Sequence, residues 1–550
     1  MENLLSTVKS VSELIDDFEG GLIAVPEIQR DVVWKSDQVK QLVDSISNGF
    51  PCGSLILWEP REKDANFVKS LVRPERLEKF SNSLPRYFLL DGQQRVTALS
   101  SVILKRDLLK DLLNELVEDM PLIFINLKKF PNEIEATQTA AGYNFPWVLY
   151  NSMFDGSLYG SGEYETLETG KKEKIRRYVQ RIRDYKFPVQ IIKDQNYSTV
   201  AEIFTRVNSQ GTQLTGAEIH LAKIVPHWQG ITKEFRDYRK ELRKNYYDLD
   251  LTFLMRVITA IECNVPQIKK LAEKIAKDKT SKASLNRTWG KVKTSTNKLI
   301  RILKNELYLD KSKYVISKNA LVPLVYYIAS EKKSAAISNI KKFFLLAQLS
   351  EHYGASADSI LRKDFKVLVE ASKPRLGLLE LVSNLNREAR QNYRGLKIRP
   401  DDVGGIPSKN VLLLLMYILM RKKKAADWGI AHTPLEDIEP SNIQLHHIFP
   451  FDLMIKDKNA WKRYEDEGYS LAEYRADVND IANITFLSNP TNVSLGNTSP
   501  SQYLLTETTR DMRKAHFIPE DKELWKTENF IDFLKERRIL IAKAITNFLR

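Results

Sequence analysis

The chain has 550 residues, 43% apolar and 28% charged, with a formal net charge of +14 and a pI near 9.3. That length predicts roughly three to four domains and several buried cores, and the composition is that of a soluble globular protein. The cation excess predicts a polyanionic partner. Cys52 and Cys263 are the only cysteines, far apart and without CxxC spacing. This excludes a disulfide scaffold and a thiolate zinc site and points to a reducing cytoplasm.

The opening MENLLSTVKSVSELIDDF carries acids and no long apolar core, so no signal peptide is expected. Up to about residue 230, short β-like runs (GLIAVPEI, CGSLILWE, RYFLLDG, PLIFINL, FPVQIIK) alternate with helical stretches, which predicts an α/β or α+β domain over 1–230. Three stretches there concentrate polar turn chemistry: VPEIQRDVVWK, FLLDGQQRVTALSSVIL and FTRVNSQGTQLTGAEIHLAKI. In the second, an apolar strand ends at Asp91-Gly92 and a helix begins at Gln93 or Gln94. Such a helix N-terminus offers unpaired N–H groups to an anion, and Arg95 could fork onto a phosphate. Asp91 could hold a metal or orient a water, or simply cap the helix. Arg206, Asn208, Ser209, Gln210 and Gly211 form a similar turn, and Gln29, Arg30 and Trp34 another. Three such turns in one domain suggest convergence on one anionic ligand. No Walker A pattern is present, so an NTPase here would not be a P-loop enzyme.

From 231 to 430 the pattern is almost wholly 3.6-periodic, which predicts an all-α domain. The window Lys269–Lys313 holds fourteen Lys/Arg against Glu273, Asp278, Glu306 and Asp310. It reads either as a solvated helix face or as a phosphate-tracking surface whose binding weakens with salt. The longest apolar run, VLLLLMYILM (Val411–Met420), is about half of a bilayer-spanning length and predicts a buried helix. No membrane association is expected.

The last region, 431–550, carries LHHIFP at Leu445–Pro450 and VNDIANITFLSNPTNVSLGNTSPSQYL at Val478–Leu504. Two histidines on one strand precede a loop of about thirty residues. A second strand opens at Asn483, and Asn492 lies at the next helix. This is the layout of a ββα-metal (HNH) nuclease with flanking helices. Phosphodiester hydrolysis needs a base titrating near neutrality and a cation on the developing charge. The expected roles are His447 as general base and His446 as metal ligand, with the reverse assignment open. Asn492 would be the second ligand, through its amide oxygen. Asn483 would fix the base's tautomer and orientation, by main chain or side chain. Mg²⁺, or Mn²⁺, is the expected ion. Asn497 and Asp452 are secondary candidates.

VPEIQRDVVW, LLDGQQRVTAL and FTRVNSQGTQLT together resemble the N-terminal domain of the GmrSD-type, modification-dependent (type IV) restriction endonucleases, itself similar to the ParB/sulfiredoxin fold. The resemblance covers about residues 10–230, and Asp91–Arg95 is its most diagnostic part. It implies binding and hydrolysis of a nucleoside triphosphate (GTP, UTP or ATP, undistinguished) by Gln29, Arg30, Asp91, Gly92, Gln93, Gln94, Arg95, Arg206 and Asn208. Residues about 440–510 resemble the family's C-terminal nuclease domain. One departure is His446, where the family commonly has an acid; an imidazole is a softer ligand that tolerates Mn²⁺ or Ni²⁺.

The expected function is therefore an NTP-regulated anti-phage endonuclease acting on double-stranded DNA, with the helical middle coupling the two ends and adding phosphate contacts. Modified phage DNA, such as glucosylated hydroxymethylcytosine or phosphorothioate DNA, is the implied target. Reading a modified base would require extruding it into an aromatic pocket; Trp34 and Trp58 could stack there or could be core. A homodimer or a partner defence protein is also expected, since one HNH domain cuts one strand. The alternatives are an NTP-dependent DNA-binding regulator with a vestigial nuclease site, and a nonspecific nuclease toxin triggered by infection.

Overall fold

In the computed structural model the described residues are 4–26, 34, 36–60, 84–104, 122–137, 142, 144–193, 195, 197–208, 215–277, 279–331, 336–354, 356–392, 396–407, 410–429 and 431–549. They form a mixed α+β chain with two compact units, Met1–Glu234 and Phe235–Arg550.

In the first unit the β-like runs become strands: β1 (Leu4–Ser10), β2 (Ile23–Ala24), β3 (Leu55–Glu59), β4 (Tyr87–Asp91), β5 (Leu122–Asn126), β6 (Ile134–Thr137), β7 (Trp147–Leu149) and β8 (Lys186–Lys193). A five-stranded sheet has the order β1-β8-β3-β4-β2, and β6-β5-β7 form a second, antiparallel sheet. Pairings β8–β3 and β4–β2 are parallel. In β8 the buried Phe187, Val189 and Ile191 alternate with exposed neighbours, as the period of two requires. Ser10 and Glu13 close a capping box on the helix Val11–Glu19, whose Val11, Leu14, Ile15 and Phe18 face the core. Trp58 is core, 2% exposed and tilted against Phe88, so it is not presented for base stacking. Trp34 is partly buried against the main core of this unit.

The second unit contains helices Leu251–Cys263, Lys282–Leu307, Leu321–Ser330, Ile337–Leu349, Ala357–Glu370 and Pro374–Asn392, which pack on one another. Val411–Lys422 is buried from Val411 to Arg421 and packs on the C-terminal helix Phe530–Leu549. No helix among the described residues is long and apolar enough to cross a membrane.

β9 (Ile443–His447) and β10 (Ile484–Ser488) pair antiparallel, with His446 opposite Thr485 and His447 opposite Ile484. A buried polar knot ties the helical part to this hairpin. Lys311 is 4% exposed, and its Nζ donates to the carbonyls of Pro440 (2.7 Å) and Ile443 (3.2 Å), where β9 starts. Beside it Asp310 accepts from Tyr417 Oη at 2.6 Å and pairs with Arg421 at 2.9 Å. Burial pushes the Lys311 pKa down to about 8.

Candidate nuclease and nucleotide sites

The hairpin runs into the helix Asn489–Leu495, which Ser488 caps by accepting from Thr491 N at 3.3 Å. Asp427 reinforces this end, accepting from Ser488 N (2.7 Å), Ser488 Oγ (2.9 Å) and the Thr491 hydroxyl. A carboxylate there also meets the positive end of the helix dipole. Gly429 makes the approach feasible, because a Cβ on it would lie 2.5 Å from Thr491 Oγ1.

This strand–strand–helix geometry brings His446 Nδ1 to 2.7 Å from Asn492 Oδ1, across 46 residues of sequence. A carboxamide oxygen only accepts, so Nδ1 donates. Burial pushes the His446 pKa down to about 4, so the ring is neutral near pH 7. The ring stands edge-to-face with Trp428 and Tyr503, at centroid distances of 5.9 and 6.0 Å. Its Nε2 is buried without a partner among the described residues.

His447 is half-buried and has a different partner from its neighbour. Its Nε2 lies 3.2 Å from Asn479 Oδ1. Nε2 therefore carries the proton and Nδ1 the lone pair. Burial lowers its pKa, opposed by the Asn479 hydrogen bond.

Asn483, 0% exposed, acts one step back. Its side chain accepts from Phe449 N and donates to the carbonyls of Phe449 and Val478, each at 2.9 Å. Its main-chain oxygen accepts from Ile448 N at 2.8 Å. It thus clamps the backbone that follows His447, while the ring contact belongs to Asn479. The sequence offered no signal for Asn479, which is one of several polar residues in an unremarkable helix end. Asn483→Ala is expected to cost roughly 2–4 kcal/mol, since it strands buried backbone groups. Urea denaturation checks this; a loss below about 1 kcal/mol would remove the clamp role. Asp452 and Asn497 are exposed.

A small octahedral cation holds ligands at about 2.1 Å, which puts neighbouring ligands roughly 3 Å apart. The 2.7 Å between His446 Nδ1 and Asn492 Oδ1 fits that spacing after a slight parting. The donors would be one amide oxygen and the imidazole Nδ1, which can ligate only in the tautomer that carries its proton on Nε2. No cluster of three or more His, Cys, Asp or Glu suited to a metal occurs among the described residues, so a cation would keep several waters.

In the first unit β4 ends at Asp91, and Gly92 turns with φ of +92° into the helix Gln93–Ile103, which has no side-chain N-cap. A Cβ on Gly92 would lie 2.2 Å from Leu55 Cδ2, and one on Gly53 2.4 Å from Arg95 Nη1. Arg95 bonds inward, to the Cys52 carbonyl (2.7 Å) and to Asp91 (3.1 Å). Gln94 Oε1 accepts from Trp34 N at 3.3 Å, and Gln93 is buried. Arg206 is exposed and pairs with Glu202 on the helix Tyr197–Asn208, which packs on β4. Gln29, Arg30 and the Asn208 side chain lie outside the described residues.

The chain is similar over its full length to Uncharacterized protein MJ0686 of Methanocaldococcus jannaschii, at 23% identity over 618 aligned residues, covering 99% of that protein. Residues 11–225 match the family described as GmrSD restriction endonuclease, N-terminal domain.

Proposed function

We propose that the chain is a metal-dependent DNA endonuclease of anti-phage defence, with an HNH-type site at its C-terminal hairpin and a regulatory nucleoside triphosphate site in its N-terminal unit. The observation that carries the reading is the meeting of His446 Nδ1 and Asn492 Oδ1 at 2.7 Å, beside a half-buried His447 on the same strand. His447 Nδ1 takes the proton of a water whose oxygen bonds to the scissile phosphorus. The bond to the leaving sugar oxygen breaks, and that oxygen is protonated from solvent. Asn479 and Asn483 keep the imidazole in place. When bound through His446 and Asn492, Mg²⁺ or Mn²⁺ would neutralise charge developing on the phosphate.

The strand-to-helix turn through Gly92, which contributes no side chain at the helix N-terminus, supports the nucleotide reading. GTP, UTP or ATP would place a phosphate there, with Asp91 oriented by Arg95. The family match supports DNA as substrate; modified phage DNA is the proposed form.

The test is a cleavage panel crossing modified and plain phage DNA with each triphosphate, and with Mg²⁺, Mn²⁺ or EDTA. Cleavage is expected only with a divalent ion and to depend on a triphosphate. Cleavage in EDTA would refute the metal site. Full phage protection by His447→Ala would favour a DNA-binding regulator instead, and degradation of unmodified host DNA a toxin.

A further inference from the structure

The fourteen cations between Lys269 and Lys313 do not behave alike. Lys270 pairs with Glu273 at 2.8 Å and Lys274 with Glu262 at 2.8 Å. Lys293 lies 5.5 Å from the Trp289 ring centroid and Lys304 6.0 Å from that of Tyr247. Lys311 is buried in the knot under β9.

Arg287, Lys291, Lys298 and Arg301 differ. They recur at spacings of four, seven and three, which on a helix of 3.6 residues per turn keeps them within about 40° of one line. Arg287, Lys291 and Arg301 are exposed and Lys298 half-exposed. None has a carboxylate partner among the described residues. The line is completed by exposed Gly290, Thr294 and Asn305, which are small or able to donate a hydrogen bond. The helix carries one acid, Glu306, engaged by Lys341 at 3.2 Å. The opposite face buries Leu285, Trp289, Val292, Leu299 and Leu303, so the stripe is mounted on a rigid support. Its length, from Arg287 to Arg301, is about 21 Å at ~1.5 Å per residue.

We propose that this stripe is a track for the phosphodiester backbone of double-stranded DNA. The proposal rests on the reading of the chain as a DNA endonuclease. A straight row of cations without carboxylates matches the regular charge of a duplex, one phosphate per ~3.4 Å on each strand. The helix ends in the turn whose Lys311 holds the start of β9, so DNA engaged along it would be held by the element that supports the nuclease hairpin.

The experiment uses the full chain in EDTA, a fluorescent 30-base-pair DNA duplex, and anisotropy titrations from 50 to 200 mM KCl. Each phosphate-contacting cation contributes about 0.9 to the slope of log K against log salt. The variant Arg287→Gln/Lys291→Gln/Lys298→Gln/Arg301→Gln is expected to lower that slope by about 3 to 4 and to weaken binding at least tenfold at 100 mM salt. Arg287→Lys/Arg301→Lys should keep the wild-type slope. A control removing equal charge, Arg362→Gln/Lys363→Gln/Lys373→Gln/Arg375→Gln, should leave it nearly unchanged. An unchanged slope in the stripe variant, an equal loss in the control, or an effect on an RNA duplex but not on DNA would overturn the proposal. Matching circular dichroism melts guard against misfolding. Because EDTA removes catalysis, a failure of the nuclease assignment shows in the cleavage panel and leaves this result standing.

Discussion

Replacing His447 with alanine is expected to lower the rate of DNA cleavage by about a hundred- to ten-thousand-fold, the usual range for loss of a general base. The ring is half-buried and hydrogen-bonded through Nε2, so the loss removes the base atom Nδ1 without emptying a core position. Single-turnover cleavage at saturating Mg²⁺ measures it. Excess Mn²⁺ should partly restore His446→Ala, which loses a ligand, and should not restore His447→Ala. The opposite pattern would exchange the two roles, and near-normal cleavage by the folded His447→Ala protein would end the nuclease reading.

The pH dependence is part of the same test. Burial lowers the His447 pKa, so the acid limb of the cleavage profile should lie below the ordinary histidine value near 6.5. Stability must be followed in parallel. His446 and His516 are both pushed by burial from 6.5 to about 4. Between those values the unfolded chain binds more protons, so their contribution is complete above about 6.5 and is lost as pH falls towards 4. Each is worth up to roughly 3 kcal/mol. His352 runs the other way. Its two nitrogens face Glu388 and Asp364 at 2.7 and 2.9 Å, and although burial opposes the charge these carboxylates raise its pKa. Its contribution is present below 6.5 and lost as pH climbs through the raised value.

Arg537→Ala is the second large effect expected, a loss of about 3–5 kcal/mol. Arg537 is 0% exposed on the C-terminal helix. Its guanidinium donates to the carbonyls of Ala482 (2.5 Å), Ile484 (2.9 Å) and His516 (3.1 Å). Burial pushes its pKa down to about 9, which still leaves it charged at neutral pH. Alanine would leave three buried carbonyls without donors and a cavity beside β10. Chemical denaturation is the measurement. Arg538→Ala is the comparison, because the Arg538 side chain is 24% exposed and pairs with carboxylates, Asp477 at 3.0 Å and the buried Asp480 at 3.3 Å, rather than with main-chain carbonyls. A midpoint for Arg537→Ala equal to that of Arg538→Ala would refute the anchoring role.

Local pattern made much of this legible in the amino-acid order. Alternation in FPVQIIK, the Asp-Gly turn before a helix, the unbroken apolar run at Val411–Met420 and the strand–loop–strand–helix spacing from Leu445 to Leu495 each follow from backbone periods of 2 and 3.6 and from turn chemistry, which act over a few residues. The residue types suited to phosphodiester hydrolysis were readable for the same reason. Packing alone decided the rest. Asn479 reaching His447, Asp427 capping the helix of Asn492, Trp428 and Tyr503 enclosing His446, and Arg537 bracing β10 join positions 18 to 61 residues apart. Which of fourteen cations stay free in solvent was equally invisible, because a lysine's partner depends on which helix lies against its own. Side-chain chemistry and periodicity are properties of short segments, whereas burial, and with it every pKa shift and hydrogen-bond partner in the candidate site, exists only once distant segments meet.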